Sequence, residues 1–161
     1  QKLNITICSM YPITKDQLDE IHRHAVEEYP FECCGIVIGK VGHNEKDVFF
    51  RCTNIQNKLH EKDPITYDRD ARTAYNIDPK ELMKILREVE SKQLSIKVFY
   101  HSHPEHDAYF SEEDLRMALF DGEPNYPEAR YLVVSVYDKK IRDQVMFHWN
   151  PESKNFERTP N

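Results

Sequence analysis

A chain of 161 residues with 31% charged and 11% aromatic side chains has the size and composition of one globular domain able to bury a continuous core. Lys and Arg number 22 against 28 Asp and Glu, and this net charge of -6 without a basic cluster argues against a nucleic-acid partner. No run approaches the ~18 apolar residues of a membrane helix and the N-terminus lacks a signal-peptide layout, so no membrane partner is expected and the compartment is read as cytoplasmic.

The first element in the chain is a strand over residues 4–10, where polar and apolar residues alternate until Pro12. Thr14 with Gln17 three residues on forms a capping box, and Leu18, Ile21 and Ala25 follow at helical spacing, which predicts a helix to about Tyr29. His22 and His24 lie two apart on it and point to different sides, so both read as surface residues rather than ligands. Residues 30–39 are an apolar run bounded by Pro30 and Gly39 and read as a buried strand with Glu32 at its mouth. An acid there is either a solvated end residue or a general base whose pKa rises through partial burial.

Gly42, His43 and Asn44 fit a hairpin connection, with residues 48–52 as the returning strand. The four cysteines, Cys8, Cys33, Cys34 and Cys52, match neither a zinc ribbon nor a disulfide framework and read as free thiols. Residues 54–77 show no clear periodicity and carry Tyr67, Arg69, Arg72 and Tyr75, which makes them a candidate substrate-contacting loop. Asp78, Pro79 and Glu81 then open a helix whose apolar face is Leu82, Ile85, Leu86 and Val89.

Residues 96–101 alternate as a strand that should end at about His103, because Pro104 cannot donate to a ladder and restricts its predecessor. If the period of two persists, His101 and His103 project to the same side. Ser111 reads as a helix N-cap with Asp114 at the third helical position, an ordinary capping arrangement taken alone. A short loop can bring that carboxylate to the two imidazoles. Two nitrogens and one oxygen with a position left for water are the ligand set of a catalytic rather than a structural zinc. His106 reads as a solvated loop residue, not a fourth ligand.

The helix continues to about Phe120, and residues 131–137 and 141–149 form a closing hairpin, followed by a polar tail over 151–161. Strand, helix, two strands, helix, strand, short helix and two strands make a single-domain α/β fold, a mixed sheet flanked by helices, over residues 1–150.

These residues resemble the JAMM, or MPN+, metallopeptidases. That family's motif is a Glu on an early strand, His-x-His-Pro, and Ser-x-x-Asp after a short loop, and Glu32, His101, His103, Pro104, Ser111 and Asp114 match it position by position. The Glu-Cys-Cys-Gly at residues 32–35 is similar to the family's Glu-x-Cys-Gly. The resemblance implies a JAMM/MPN, cytidine-deaminase-like architecture, one catalytic zinc held by His101, His103 and Asp114, and Glu32 and Ser111 as catalytic residues. It further implies hydrolysis after the Gly-Gly end of a ubiquitin-like sulfur carrier, whose tail binds extended along a sheet edge. A deubiquitinase-like isopeptidase acting on protein lysines is the alternative. A DNA-associated branch is disfavoured by the acidic balance, a non-enzymatic scaffold by the complete ligand set, and a cysteine protease by the setting of Cys33 and Cys34. Residues 115–161 hold no Cys and only His148, so the second zinc of linkage-specific deubiquitinases is not expected.

Overall fold

The computed structural model describes residues 12–160. The expected strand at 4–10 and Cys8 lie outside the described residues. Helix α1 (Lys15–Glu28) starts at the Thr14 capping box, with the Gln17 amide donating to Thr14 Oγ1 and the Thr14 amide to Gln17 Oε1. Strands β1 (Cys34–Lys40) and β2 (His43–Cys52) form the first hairpin, so the returning strand begins five residues earlier than its apolar segment implies. Then come α2 (Gln56–Lys62), α3 (Pro79–Ser91), β3 (Ser95–Pro104) and α4 (Glu112–Ala118). A two-stranded ribbon of β4 (Leu119–Phe120) and β5 (Glu123–Pro124) precedes β6 (Arg130–Tyr137), β7 (Lys140–Asn150) and β8 (Asn155–Arg158).

The main sheet runs β2-β1-β3-β6-β7-β8, with β3 and β6 parallel and every other neighbouring pair antiparallel. A parallel pair needs a crossover, and α4 with its small ribbon supplies it. Ile21 and Ala25 of α1 pack on one face against Val37, Val98, Tyr100, Leu132 and Val134. Ile85 of α3, flanked by Leu82, Leu86 and Val89, packs on the other against Ile36, Ile38, Phe99 and Tyr131.

The central strand β3 is therefore buried on both faces, and its polar residues must find partners inside. Lys97 pairs with Asp47 at 2.9 Å, and Ser102 Oγ accepts from the Cys33 amide at 2.8 Å. Opposite Tyr100 in the register stands Gly35, and a Cβ there would lie 2.1 Å from the Tyr100 ring. That ring stacks on Phe49 and its hydroxyl meets His24 Nδ1 at 2.7 Å, so it has nowhere to go. Gly35→Ala is expected to cost about 1–3 kcal/mol through overpacking, measured by chemical denaturation; a loss below about 0.5 kcal/mol would mean the ring relocates freely.

The reading of His24 as a surface residue is corrected by this contact. His24 is 4% exposed, and burial together with nearby Arg51 lowers its pKa to about 4, against the opposing pull of Glu27. Position on the helix could not reveal this, because it is Tyr100 on a distant strand that makes a polar pocket for the ring. His22, half-buried, contacts Gln144.

Residues 151–161, expected to be a polar tail, include the edge strand β8. Phe156 turns into the core and packs on Phe110, Tyr131 and Trp149 at 4.6–5.1 Å. A four-residue strand with one apolar side chain carries no periodic signal; pairing with β7 makes it.

Candidate active site

The C-terminal end of β3 holds His101 and His103 on the face shared with Phe99, both essentially inaccessible. Past Pro104 the chain turns through Glu105, at φ +62°, and folds back. That loop is held in place: His103 Nδ1 donates to the Asp107 carbonyl at 2.8 Å, and Phe110 plugs into the aromatic cluster of Tyr131, Phe147 and Phe156. Ser135 adds a hydroxyl hydrogen bond to the His106 carbonyl at 2.6 Å. Ser111 then caps α4, accepting from the Asp114 amide at Oγ while its own amide donates to Asp114 Oδ2, each at 3.0 Å. The cap occupies a lone pair of the Ser111 hydroxyl and leaves its proton free to donate.

This brings Asp114 to the histidines, Oδ1 lying 3.0 Å from His101 Nε2 and Oδ2 3.1 Å from His103 Nε2. The two Nε2 atoms are 3.3 Å apart. Glu32, ahead of β1 and opposite the end of β3, completes the group: one ligand atom from each of Glu32, His101, His103 and Asp114 lies within 4.8 Å of the others, all four buried. The structure thus brings together four of the five residues singled out in the sequence, with Ser111 at the neighbouring cap.

Burial drives the Glu32 carboxyl well above its usual pKa, with Asp114 and Glu113 adding to the rise and Arg69 opposing it. Burial acts the same way on Asp114, but the flanking imidazoles of His101 and His103 outweigh it and hold that carboxylate far below its usual range. Glu32 Oε1 and His101 Nδ1 are the buried side-chain polar atoms without a partner among the described residues.

A divalent ion fits this donor set. The carbonyl partner of His103 Nδ1 can only accept, so Nδ1 carries the proton and the Nε2 lone pair is turned into the cluster. Tetrahedral zinc with nitrogen ligands at about 2.0 Å requires them ~3.3 Å apart, which matches the Nε2 separation. Glu32 contributes a carboxylate oxygen to the same group, and its Oε1 has no hydrogen-bond partner among the described residues.

Residues 54–77, expected to be aperiodic, contain helix α2 and close with a bridge between Asn54 and Ile77. With Gln56 as its only buried residue, α2 has no apolar stripe to read. The segment builds the wall behind Glu32. The Glu32 amide donates to the Ala71 carbonyl at 2.7 Å, and Asn54 Nδ2 donates to the Glu32 carbonyl at 2.9 Å. Asn54 Oδ1 accepts from the Gln56 and Asn76 amides, each at 3.0 Å. Asn54→Ala strands several of these groups at once and is expected to cost about 2 kcal/mol; denaturant unfolding indistinguishable from the parent would show that the wall is held elsewhere.

Tyr75, which the sequence marked only as part of the loop, stacks on His101 at 4.5 Å between ring centres. His106 is outside the ligand cluster but packs on His103 at 4.2 Å instead of standing free in solvent. The free thiols Cys33, Cys34 and Cys52 are buried, and burial pushes Cys33 up to about 12, so none is set to act as a nucleophile.

A mixed sheet flanked by helices, with this acid and His-x-His cluster at the end of its central strand, matches a family model described as prokaryotic homologs of the JAB domain over residues 14–150. The chain belongs to that family and is a JAMM-type hydrolase. Among similar proteins, the CysO-cysteine peptidase of Mycobacterium tuberculosis is 29% identical over 126 residues, covering 78% of this chain and 73% of that one. The desampylase of Haloferax volcanii is 30% identical over 118 residues, 71% of this chain and 76% of that one. A solution structure from Salinibacter ruber superposes with TM-score 0.57 at 26% identity, covering 93% of this chain and 89% of that one. One from Desulfitobacterium hafniense does so with TM-score 0.63 at 20% identity over 91% and 88%, a likeness of fold. No helix among the described residues is long and apolar enough to cross a membrane.

Proposed function

We propose that this protein is a zinc-dependent peptidase that hydrolyses the peptide bond after the C-terminal Gly-Gly of a ubiquitin-like protein of the sulfur-carrier kind. The observation that carries it is the buried convergence of Glu32, His101, His103 and Asp114 within 4.8 Å. His101, His103 and Asp114 would hold the ion, and a zinc ion there supplies acidity to water and polarisation to a carbonyl. The relatives' names, CysO-cysteine peptidase and desampylase, denote processing of ubiquitin-like proteins and support the substrate kind.

Each of the chain's own groups then has a task. Glu32 accepts the proton lost by the attacking water and returns it to the departing nitrogen; its raised affinity for protons suits a group that must hold one between two steps. The free proton of the Ser111 hydroxyl donates to the carbonyl oxygen as it gains charge, an interaction worth roughly 3 kcal/mol in a site closed to water. Tyr75 and the Asp107 carbonyl fix the orientation of the two imidazoles. The substrate tail lies extended, bonded as an added strand.

The test is intact-mass analysis of a ubiquitin-fold carrier ending in Gly-Gly plus a short extension, incubated with zinc-loaded or chelated protein. Metal-dependent loss of the extension directly after Gly-Gly is the expected result. A tightly held zinc with no cleavage of any such carrier would remove the peptide-bond reading. The alternative, an isopeptidase releasing such a modifier from protein lysines, draws its support from the similarity to the desampylase and is distinguished by the leaving amine.

A further inference from the structure

The four-residue cluster accounts for bond cleavage and leaves one charge beside it unused. A cavity of about 660 Å³ adjoins the cluster, its wall including Pro30, His60, Arg69, Arg72, Pro104 and His106. Pro30 stands two residues before Glu32, Pro104 directly follows His103, and His106 lies flat on the His103 ring. Of the other ionisable groups on this wall, Asp70, Arg72, Glu105, His60 and His106 are hydrogen-bonded. Arg72 grips both carboxylate oxygens of Asp70 at 2.7–3.2 Å. Glu105 accepts from the Tyr29 hydroxyl and the Asp138 amide, and the charge of Asp68 is felt at Arg116, whose hydrogen bonds go to Glu113. His60 Nδ1 donates to the Tyr67 carbonyl and His106 Nδ1 to the Pro104 carbonyl.

Arg69 differs. Its main chain is anchored, the carbonyl accepting from Gln56 Nε2 at 2.8 Å. Its guanidinium has no hydrogen bond or ion pair among the described residues. A fixed backbone carrying an unengaged, two-pronged cation is an arrangement that can receive a carboxylate.

We propose that Arg69 receives the free α-carboxylate of the residue released, so that the leaving group is a single amino acid and not the side chain of a lysine in a second protein. This rests on the reading of the neighbouring cluster as the hydrolytic centre. In that hydrolysis the glycyl carbon–nitrogen bond breaks, water's oxygen bonds the glycyl carbon, and one water proton passes by way of Glu32 to the nitrogen. The α-carboxylate lies two bonds from that nitrogen, so a cation serving it has to stand beside Glu32. The Arg69 charge is felt at the Glu32 carboxyl, where it opposes the effect of burial. A lysine ε-amine carries no such carboxylate, and a carboxamide cannot form the paired, charged contact.

The experiment uses zinc-loaded protein and one ubiquitin-fold carrier in three forms: ending Gly-Gly-Ala as free acid, ending Gly-Gly-Ala as carboxamide, and joined through Gly-Gly to the ε-amine of a blocked lysine. The acid is expected to be cleaved with kcat/KM about ten- to hundred-fold above the carboxamide. In Arg69→Met this ratio should fall to about one, and Arg69→Lys should restore part of it. The same preference should appear in binding, when acid and amide tail peptides are titrated into Glu32→Gln protein. A ratio near one in the parent, an unchanged ratio in Arg69→Met, or a lysine conjugate cleaved faster than the acid would overturn the assignment. No cleavage of any of the three by the parent would instead fell the hydrolytic reading on which it stands.

Discussion

Glu32→Gln is expected to keep its metal and to lose about 10²- to 10⁴-fold in turnover, the range a positioned proton carrier contributes. Gln has nearly the shape of Glu, and the backbone that carries it is held from both sides by Ala71 and Asn54, so the geometry of the cluster should survive. What disappears is the capacity to take a proton. The parent carboxyl is buried with one oxygen unpartnered, and a neutral amide tolerates that setting at least as well, so stability should be unchanged or higher. Metal analysis after dialysis, steady-state hydrolysis and denaturant unfolding report the three quantities separately. Activity equal to the parent would sink Glu32 as the proton carrier, whatever its position.

Asp114→Ala should release the metal and abolish hydrolysis. Losing an outer partner of a metal ligand costs 10- to 100-fold in affinity, so losing a ligand is expected to exceed about 100-fold. Asp114 also takes the Ser111 amide at the start of α4, and removal of that bond costs a further ~1 kcal/mol of stability. Asp114→Asn separates the two roles, since its amide oxygen still accepts from Ser111 but carries no charge. Affinity should fall in both variants and stability mainly in Asp114→Ala. Full zinc occupancy of Asp114→Ala after dialysis would reduce Asp114 to a helix cap.

Local rules carried much of the architecture because the relevant forces are local. The capping boxes at Thr14 and Ser111, the proline stop at 104 and the apolar faces of α1 and α3 are set by contacts three or four residues apart, and each appears where the chain writes it. The candidate site was legible for a related reason. His101 and His103 share a face because a strand repeats every two residues, and Asp114 returns to them because an acid at the third helical position points back to its cap.

What escaped was whatever depends on a partner distant in the chain. His24 is buried because Tyr100 lies across α1, Phe156 because β7 offers it an edge, and α2 holds shape through Asn54, Gln56 and Asn76 rather than an apolar stripe. Lys97 is buried for the same reason, its charge met by Asp47 on β2, two strands across the sheet.

By itself, then, the sequence determined the class of fold, the family and the identity of the residues that converge, because spacing along one helix or strand decides which side chains share a face. Tertiary structure alone decided that the Glu32 carboxyl is buried with its backbone held from both sides, and that Arg69 lines the adjoining cavity without a hydrogen-bond partner among the described residues. Both outcomes depend on segments nearly 40 to 70 residues apart being pressed together around β3, and the energy of burial that does so is a property of the packed whole.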